Sequence, residues 1–383
     1  MRNFSFKNPT KLIFGKGSIA QLSKEISKDT RIMITFGGGS VKLNGVYNQV
    51  INALSKHTLI EFWGIEPNPT YETLMKAVAI ARSHSIDFLL AVGGGSVIDG
   101  TKFIAAAIPY SNDPWDFVLD DSKIEKTIPL AAVLTLPATG SEMNGGAVVS
   151  KESTKEKYAF HHPTVYPKFS ILDPETCYSL PDYQIIAGIS DTFVHIIEQY
   201  LTEAGQSMVM DRFAEGLLLT LIELAPRLMK NHQGYDDMAN FMLTATMGLN
   251  GFIGMGVKQD WATHMIGHEI TALSRLTHGY SLAIVLPALM QVMRKEKKSK
   301  LLQYAERVWN ITDTNPDTKI NTAITKTNEF FRSLGIKTTL SENHIGDEVI
   351  HEIVKRFKQR KTILGENKSV TPEKVLDILN LCK

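Results

Sequence analysis

Five residues that could bind a metal ion or move a proton lie in two apolar segments of the second half of the chain. In GISDTFVHIIEQYL, Asp191 and His195 are four residues apart, and His264 and His268 repeat that spacing in DWATHMIGHEITAL. His278 follows in LTHGYS, where the next glycine suggests a helix end or a loop. Side chains four residues apart lie on one face of a helix. Each pair can therefore present both side chains to one ion or substrate.

One carboxylate and several imidazoles make a suitable set of donors for a divalent ion such as Zn²⁺ or Fe²⁺. Taken alone, each histidine is more often a satisfied core or surface residue than a ligand. The combination favours a metal, because Asp191 on an apolar helix would otherwise be a buried carboxylate that needs a partner. Four of the five residues could hold the ion, which would polarise a substrate oxygen. The fifth residue could move a proton.

Two glycine runs in the first half, ITFGGGSV (residues 34–41) and LAVGGGSVID (residues 90–99), each follow a predicted strand and open a predicted helix. Neither has the spacing of the usual dinucleotide fingerprint. A run without Cβ atoms still lets backbone N–H groups approach a phosphate at a helix N-terminus. A tight turn would explain either run alone. Two runs at the ends of two parallel strands favour a nucleotide site, because ligands bind at that edge of such sheets.

The first run favours NADP(H) over NAD(H). It comprises Gly37, Gly38, Gly39 and Ser40, and Lys42 follows with no acidic residue nearby in the sequence. A carboxylate usually accepts from the ribose hydroxyl of NAD, whereas a 2′-phosphate requires donors instead.

The second run would bind the pyrophosphate. Its residues are Gly93, Gly94, Gly95 and Ser96, and Asp99 lies in the first turn of the helix that follows. Asp99 could contact the cofactor or simply interact with the helix dipole.

The elements that must position these residues differ between the two halves of the chain. Up to about residue 181, short β-branched runs alternate with amphipathic helical runs, which predicts βαβ units and a parallel sheet. Later segments show apolar residues three and four apart and no convincing strand. We therefore predict an α/β nucleotide-binding domain over residues 1–181 and a helical metal-binding domain over residues 182–383.

Composition narrows the class of partner and the compartment. The 383 residues suffice for two or three domains, and 41 basic against 40 acidic residues give a net charge of +1. That balance gives no reason to expect nucleic acid or an anionic membrane as a partner. The N-terminus is polar and no long apolar stretch follows, so we expect a cytoplasmic protein. The two cysteines, Cys177 and Cys382, suggest neither a disulfide framework nor a thiolate metal site.

With both halves considered, the chain resembles the iron-containing (group III) alcohol dehydrogenases, and most closely their NADPH-dependent aldehyde reductase and butanol dehydrogenase branch. The resemblance covers essentially the whole chain and rests on a series of motifs in order: PTKLIFGKG, TFGGGSV, EPNPTYETL, LAVGGGSVIDGTKFIAAA, LTLPATGSEMN, LDP, DTFVHIIEQY and DWATHMIGHE, followed by LTHG and LAIVLPAL. It implies a Rossmann-like nucleotide domain and a helical domain, with the active site in the cleft between them, and a homodimer.

The resemblance also assigns roles to individual residues. It implies that Asp191, His195, His264 and His278 bind the metal, iron or zinc, and that His268 relays the proton. It places the first glycine run on the adenosine side of NADP(H). The remaining residues that it places at the cofactor are Gly94, Gly95, Ser96, Asp99, Thr135, Thr139, Lys157 and Leu180. The implied reaction is hydride transfer between NADP(H) and short- to medium-chain aldehydes or primary alcohols.

Other functions on the same scaffold remain as alternatives. A dehydroquinate-synthase-like enzyme or a glycerol-type polyol dehydrogenase would use NAD. The dehydroquinate-synthase-like enzyme would also need basic residues close to the metal-binding segments, and DTFVHIIEQY and DWATHMIGHEITAL contain none. A catalytically inactive binding protein would not need the aspartate and three histidines. An apolar substrate pocket could be formed by Trp261, Asn144, Phe252 and Phe160, although aromatic residues at such spacings more often belong to a core.

Overall fold

The described residues of the computed structural model, 1–205 and 207–383, form two compact units. The sheet unit comprises Lys7–Pro181 and His232–Thr246, and the helical unit comprises Met1–Phe6, Asp182–Asn231 and Met247–Lys383. Residues 1–6 therefore group with the second half of the chain, and residues 232–246 group with the first half. The predicted domain division at residue 181 ignores these segments, and as a statement about domains it stays a prediction.

The sheet unit is built on six parallel strands in the order β1-β8-β5-β4-β2-β3. Strands β2, β4 and β5 are buried along almost their whole length, and their sequences are therefore continuous apolar runs rather than alternating patterns. A separate antiparallel hairpin joins β6 to β7. The strands are β1 (Lys11–Phe14), β2 (Arg31–Phe36), β3 (Thr58–Phe62), β4 (Phe88–Gly94), β5 (Leu130–Leu136), β6 (Gly146–Lys151), β7 (Glu156–His161) and β8 (Phe169–Leu172).

Both glycine runs lie at the point where the order of the sheet reverses. The chain leaves β2 toward the outer strand β3, and then returns to form β4 on the other side of β2. Strands β2 and β4 are paired up to Phe36 and Val92, so the first and second runs begin side by side at the carboxyl edge. Such a switch point is where open α/β sheets bind nucleotides.

Helices flank the sheet and supply the regular secondary structure of the described part of the helical unit. The helices are α1 (Leu22–Glu25), α2 (Ser40–Leu43), α3 (Val46–Ala53), α4 (Tyr71–Ser83), α5 (Gly95–Ala107), α6 (Trp115–Leu119), α7 (Asp182–Tyr200), α8 (Met208–Lys230), α9 (Tyr235–Gly248), α10 (Ala262–Ser274), α11 (His278–Val292), α12 (Lys298–Arg307), α13 (Pro316–Ser333), α14 (Asp347–Gln359) and α15 (Pro372–Leu381). Apolar faces of α10, α11, α14 and α15 share one core, which includes Ile266, Val285, Ile353 and Ile378.

The predicted fold class is confirmed: a parallel sheet with helices precedes a helical part. The sequence failed to predict β7, which pairs with β6 over Gly146–Lys151. In the described part of the chain after residue 182, the only extended pairing is an isolated bridge between Leu364 and Val370. None of the described helices is long and apolar enough to cross a membrane.

Gly279 allows α7 and α11 to pack closely. His278 is the first residue of α11, so its imidazole is presented from a helix end, one of the two alternatives that the sequence left, and Gly279 lies in the first helical turn. A Cβ atom at Gly279 would overlap the carbonyl oxygen of Ala187 in α7 and lie 3.0 Å from its Cα. Ser190 Oγ also donates to Gly279 O at 2.7 Å. These contacts fix the start of α11 against the helix that holds Asp191.

Gly279→Ala should therefore destabilise the protein. We expect a loss of about 1–3 kcal/mol in the free energy of unfolding, because backbone atoms must move to admit the methyl group. Gly216→Ala is the matched control, since Gly216 is exposed within α8 and a Cβ there would meet no described atom within 4 Å. The control should gain roughly 0.5–1 kcal/mol. Urea denaturation measures both, and equal stability of the two variants would contradict this account.

Candidate metal and cofactor sites

Asp191, His195 and His264 form a buried cluster in the helical unit. Among the described residues, their ligand atoms lie within 4.8 Å of one another. Nε2 of His195 is 3.6 Å and Nε2 of His264 is 3.5 Å from the same oxygen, Asp191 Oδ1. The two imidazoles stack with ring centroids 4.5 Å apart. One carboxylate oxygen and two imidazole nitrogens thus converge on one point, as divalent ions require.

The other two histidines lie next to this cluster. The ring centroid of His278 is 5.5 Å from that of His264, and the ring of His268 is 4.9 Å from that of His278. His268 is 6 % exposed and its ring is 6.2 Å from that of His264. The structure therefore brings all five predicted residues of the second half together. It does not distinguish their roles, so His278 as a ligand and His268 as a proton relay stay predictions.

Glu198, which the sequence analysis missed, joins α7 and α10, the two helices that carry Asp191, His195 and His264. It lies on α7, one turn after His195, and is 3 % exposed. Its Oε1 accepts from Thr263 N at 2.5 Å, and its Oε2 accepts from His264 N and from His264 Nδ1. The Nδ1 contact leaves Nε2 of His264 facing Asp191. A carboxylate that holds the far nitrogen of a metal-binding histidine is a common supporting feature of such sites.

A second carboxylate defines where α10 begins. Asp260 Oδ1 accepts from Ala262 N at 2.8 Å, and Trp261 adopts a left-handed conformation with φ 64° between them. The buried Lys297 Nζ donates to Asp260 Oδ2 at 2.6 Å and to Glu366. Asp260 and Glu198 together satisfy the N–H groups of the first turn, which have no partner within a helix. This turn places His264 at the cluster.

The electrostatics of the cluster favour a positive charge. Burial alone lowers the pKa of His264, but the neighbouring carboxylates of Glu198 and Asp191 outweigh it and raise the pKa to about 9. Two buried acids beside one imidazole stabilise a bound cation for the same reason. The donor set therefore fits a divalent metal in both chemistry and charge.

The predicted cofactor residues all belong to the sheet unit. Gly37 lies against the second run, because a Cβ there would be 3.4 Å from Val97 Cγ2. Gly38 is exposed, and a Cβ at Gly38 or Gly39 would meet no described atom within 4 Å. Ser40 is exposed at the start of α2. The first run thus combines a turn, set by φ 99° at Gly39, with open space.

The second run is closely packed. A Cβ at Gly94 would lie 2.9 Å from Leu136 Cβ, and one at Gly95 would lie 2.6 Å from Thr139 Cγ2. Thr135 is buried near the end of β5. The predicted residues Gly94, Gly95 and Thr139 are therefore in direct proximity.

Asn68, a second residue that the sequence analysis missed, links two predicted positions. Its N–H donates to Ser96 Oγ at 3.3 Å, and its side-chain oxygen accepts from Lys157 Nζ at 2.8 Å. Lys157 is 7 % exposed, so it is a buried lysine rather than a solvated surface residue. Asn68 has φ 57° between two prolines, and this unusual Pro-Asn-Pro triplet was the available signal.

The remaining positions are only partly decided by the geometry. Both carboxylate oxygens of Asp99 accept hydrogen bonds, from Ser141 Oγ at 2.6 Å and from Val148 N at 2.9 Å. Leu180 is half-buried just after a short segment whose Thr176 O and Ser179 Oγ accept from Asn44, which follows the first run. As cofactor contacts, Asp99 and Leu180 stay predictions.

The four residues suggested for a substrate pocket are divided between the two units. The Trp261 ring centroid is 5.4 Å from that of His264. Phe252, in the helical unit, packs against Phe213 at 4.9 Å. Phe160, in the sheet unit, packs against Phe117 at 5.6 Å, and Asn144 accepts from Lys102. Trp261 is therefore placed beside the cluster, and Phe160 is a core residue.

Comparison with known proteins decides the family. Residues 9–174 match the iron-containing alcohol dehydrogenase family, and residues 185–382 match the C-terminal domain of the same family. The chain belongs to the iron-containing alcohol dehydrogenase family. Its reaction class is accordingly the oxidoreduction of alcohols and aldehydes, which favours the dehydrogenase over the dehydroquinate-synthase-like alternative.

Relatives cover the chain from end to end. The NADPH-dependent aldehyde reductase YqhD of Escherichia coli is 52 % identical over 375 residues, which are 97 % of each chain. A probable NADH-dependent butanol dehydrogenase of Bacillus subtilis is 41 % identical over 99 % of each chain. The crystal structure of the E. coli YqhD protein superposes with a TM-score of 0.98, at 50 % identity, over 100 % of this chain and 99 % of that one.

Glu198→Gln should weaken the binding of zinc without removing a proposed ligand. A glutamine amide cannot accept from the three N–H groups that now share two carboxylate oxygens, so His264 loses its fixed orientation. We expect an affinity about 10–100-fold lower, measured by competition with a chromophoric chelator. Glu215→Gln, at another buried and hydrogen-bonded glutamate of the helical unit, should leave zinc affinity unchanged. Equal affinities for wild type and a folded Glu198→Gln variant would contradict the supporting role.

Proposed function

We propose that this chain is a metal-dependent, NADPH-dependent reductase of short- to medium-chain aldehydes that also oxidises the corresponding primary alcohols. The observation that carries this proposal is the buried Asp191–His195–His264 cluster in a chain of the alcohol dehydrogenase family. The E. coli relative named as an NADPH-dependent aldehyde reductase supports the substrate class and the coenzyme.

In this proposal the metal is held by Asp191, His195, His264 and His278. When bound, the ion supplies Lewis-acid stabilisation of negative charge on a substrate oxygen. The buried acids Asp191 and Glu198 compensate its charge, and Trp261 keeps one side of the cluster apolar. All of these residues lie on helices or at a helix start, so their backbone torsions are already fixed before the metal binds.

His268 is the proposed proton relay. Its ring is one helical turn from His264 on α10 and close to His278, which places an imidazole beside the ligand set without making it part of the three-residue cluster. An imidazole titrates near neutral pH and can pass a proton between an alcohol oxygen and solvent.

The preference for NADPH is proposed from the first glycine run. Gly38 and Gly39 leave room for a phosphate, Ser40 offers a hydroxyl, and Lys42 carries an ammonium whose Nζ lies 4.0 Å above the Trp63 ring. The nearby acid Glu61 already accepts hydrogen bonds from the side chains of Tyr47 and Trp63. Donors without a competing carboxylate suit a 2′-phosphate. We further propose a cytoplasmic homodimer whose only other partners are small molecules.

The coenzyme and substrate class can be tested on one purified sample. We expect oxidation of NADPH with straight-chain aldehydes from two to eight carbons, and a kcat/KM at least about tenfold lower with NADH, because charge-assisted contacts to the 2′-phosphate are lost. Lys42→Glu should reverse or abolish this preference and leave metal content unchanged. Metal content is measured on the same sample. Absence of turnover with both coenzymes in metal-loaded protein would refute the proposed function, whereas a preference for NADH would refute only the coenzyme assignment.

Substitution separates the two histidine roles. His264→Ala should lose metal and activity together, because it removes a ligand from the buried cluster. His268→Ala should retain the metal but lose about 10²–10⁴-fold in kcat, the usual contribution of a positioned acid or base. Metal content by mass spectrometry and steady-state rates measure both. Normal turnover by His268→Ala would exclude it as the relay.

A further inference from the structure

Lys102 is a buried lysine to which the proposed reaction gives no role. It lies in α5, the helix that starts at the second glycine run, and it is 0 % exposed. Its Nζ donates to Ser141 Oγ at 2.8 Å, to Asn144 Oδ1 at 3.0 Å and to Gly146 O at 2.7 Å. An ammonium has three donors, so all are used. All three acceptors belong to one segment, residues 139–148, which follows β5 and includes the start of β6.

Asp99 holds the same segment from one helical turn earlier. Its Oδ1 accepts from Ser141 Oγ at 2.6 Å, and its Oδ2 accepts from Val148 N at 2.9 Å. Ser141 Oγ accepts from Lys102 and donates to Asp99, so it bridges the two charges. Two residues on one face of α5 thus fix both ends of the segment from residue 141 to residue 148.

The segment determines where Thr139 lies relative to the second run. Thr139 Oγ1 accepts from Ser141 N at 3.2 Å, so the anchored Ser141 sets its orientation. A Cβ at Gly95 would lie 2.6 Å from Thr139 Oγ1 and from its Cγ2. The hydroxyl of Thr139 is thereby held directly over the backbone of the glycine run. A small shift of the segment would change the space available above Gly95.

The charges explain why a lysine is tolerated at this position. Burial lowers the pKa of Lys102 to about 8, and the nearby acids Asp99 and Glu142 oppose this shift. Glu142 belongs to the same segment and is fixed by Thr246, whose Oγ1 donates to its Oε1 at 2.5 Å. Burying an ammonium is costly unless it is hydrogen-bonded and near a compensating charge. Here all three donors are used, and Ser141 Oγ links the ammonium to the carboxylate of Asp99. An apolar side chain would fill the space but would leave these acids without a cation.

We propose that Lys102 is a positioning residue for the cofactor: it fixes residues 139–148 on α5 and so holds Thr139 against the second glycine run. The part of this inference that names the cofactor rests on the proposed function. The part that says Lys102 fixes residues 139–148 is independent of it, because that can be measured without any cofactor.

Lys102→Met removes the ammonium and keeps the approximate volume of the side chain. Lys300→Met is the matched control, because Lys300 in the helical unit is also buried, with Nζ 2.7 Å from Asp211 Oδ1 and 4.1 Å from the Tyr200 ring centroid. Both variants should lower the melting temperature. Only Lys102→Met should accelerate hydrogen exchange in peptides that cover residues 139–148, and only it should raise the Kd for NADPH, measured by fluorescence titration, by about tenfold.

Ser141→Ala keeps the test decisive if Lys102→Met does not fold. It removes only the bridging hydroxyl, and it should produce the same exchange pattern and a smaller rise in the Kd for NADPH. Unchanged exchange in residues 139–148 would overturn the inference, as would faster exchange without any loss of NADPH affinity relative to Lys300→Met. If the wild-type protein bound neither NADPH nor NADH, the proposed function would fail, while the exchange data would still decide whether Lys102 fixes the segment.

Discussion

The arrangement of the Asp191–His195–His264 cluster depends on one buried carboxylate, Glu198. It projects from α7 and accepts from the N–H groups of the first turn of α10, where a helix presents unpaired donors and a partial positive charge. His195 lies on the same helix as Glu198, and His264 on the helix that Glu198 contacts. One side chain therefore sets the distance between two proposed ligands. Burial raises the pKa of Glu198, while His264 and the N–H of Thr263 oppose that rise, so three donors offset part of the cost of burying this acid.

Most of the site could be predicted because helical periodicity is local information. The spacing of Asp191 from His195, and of His264 from His268, specifies shared faces without any knowledge of the fold. Glu198 could not be found in this way, because its importance lies in contacts to residues 65 and 66 positions further along the chain. Asn68 joins Ser96 and Lys157 across separations of 28 and 89 positions. A spacing rule does not include such contacts.

The fold was predictable where burial left a clear pattern. Strands β2, β4 and β5 are buried on both faces and read as apolar runs. Strand β7 escaped notice because it mixes charged, aromatic and exposed residues from Glu156 to His161. Gly279 was recognised as marking a helix end or a loop, but the sequence did not show that it is also needed for the close approach of α7. Sequence alone cannot distinguish these two uses of a glycine, because both exploit the missing Cβ.

The two glycine runs have the same four letters but answer to different constraints. In the second run, Val97, Leu136 and Thr139 occupy the space that Cβ atoms at Gly93, Gly94 and Gly95 would need, so packing alone explains these glycines. In the first run, φ 99° explains Gly39, but neither conformation nor packing explains Gly38, which has no positive φ and open space around it. A ligand that approaches the backbone closely would account for it. The glycines themselves therefore support nucleotide binding only in the first run. The second run is supported by its position at the switch point of the sheet.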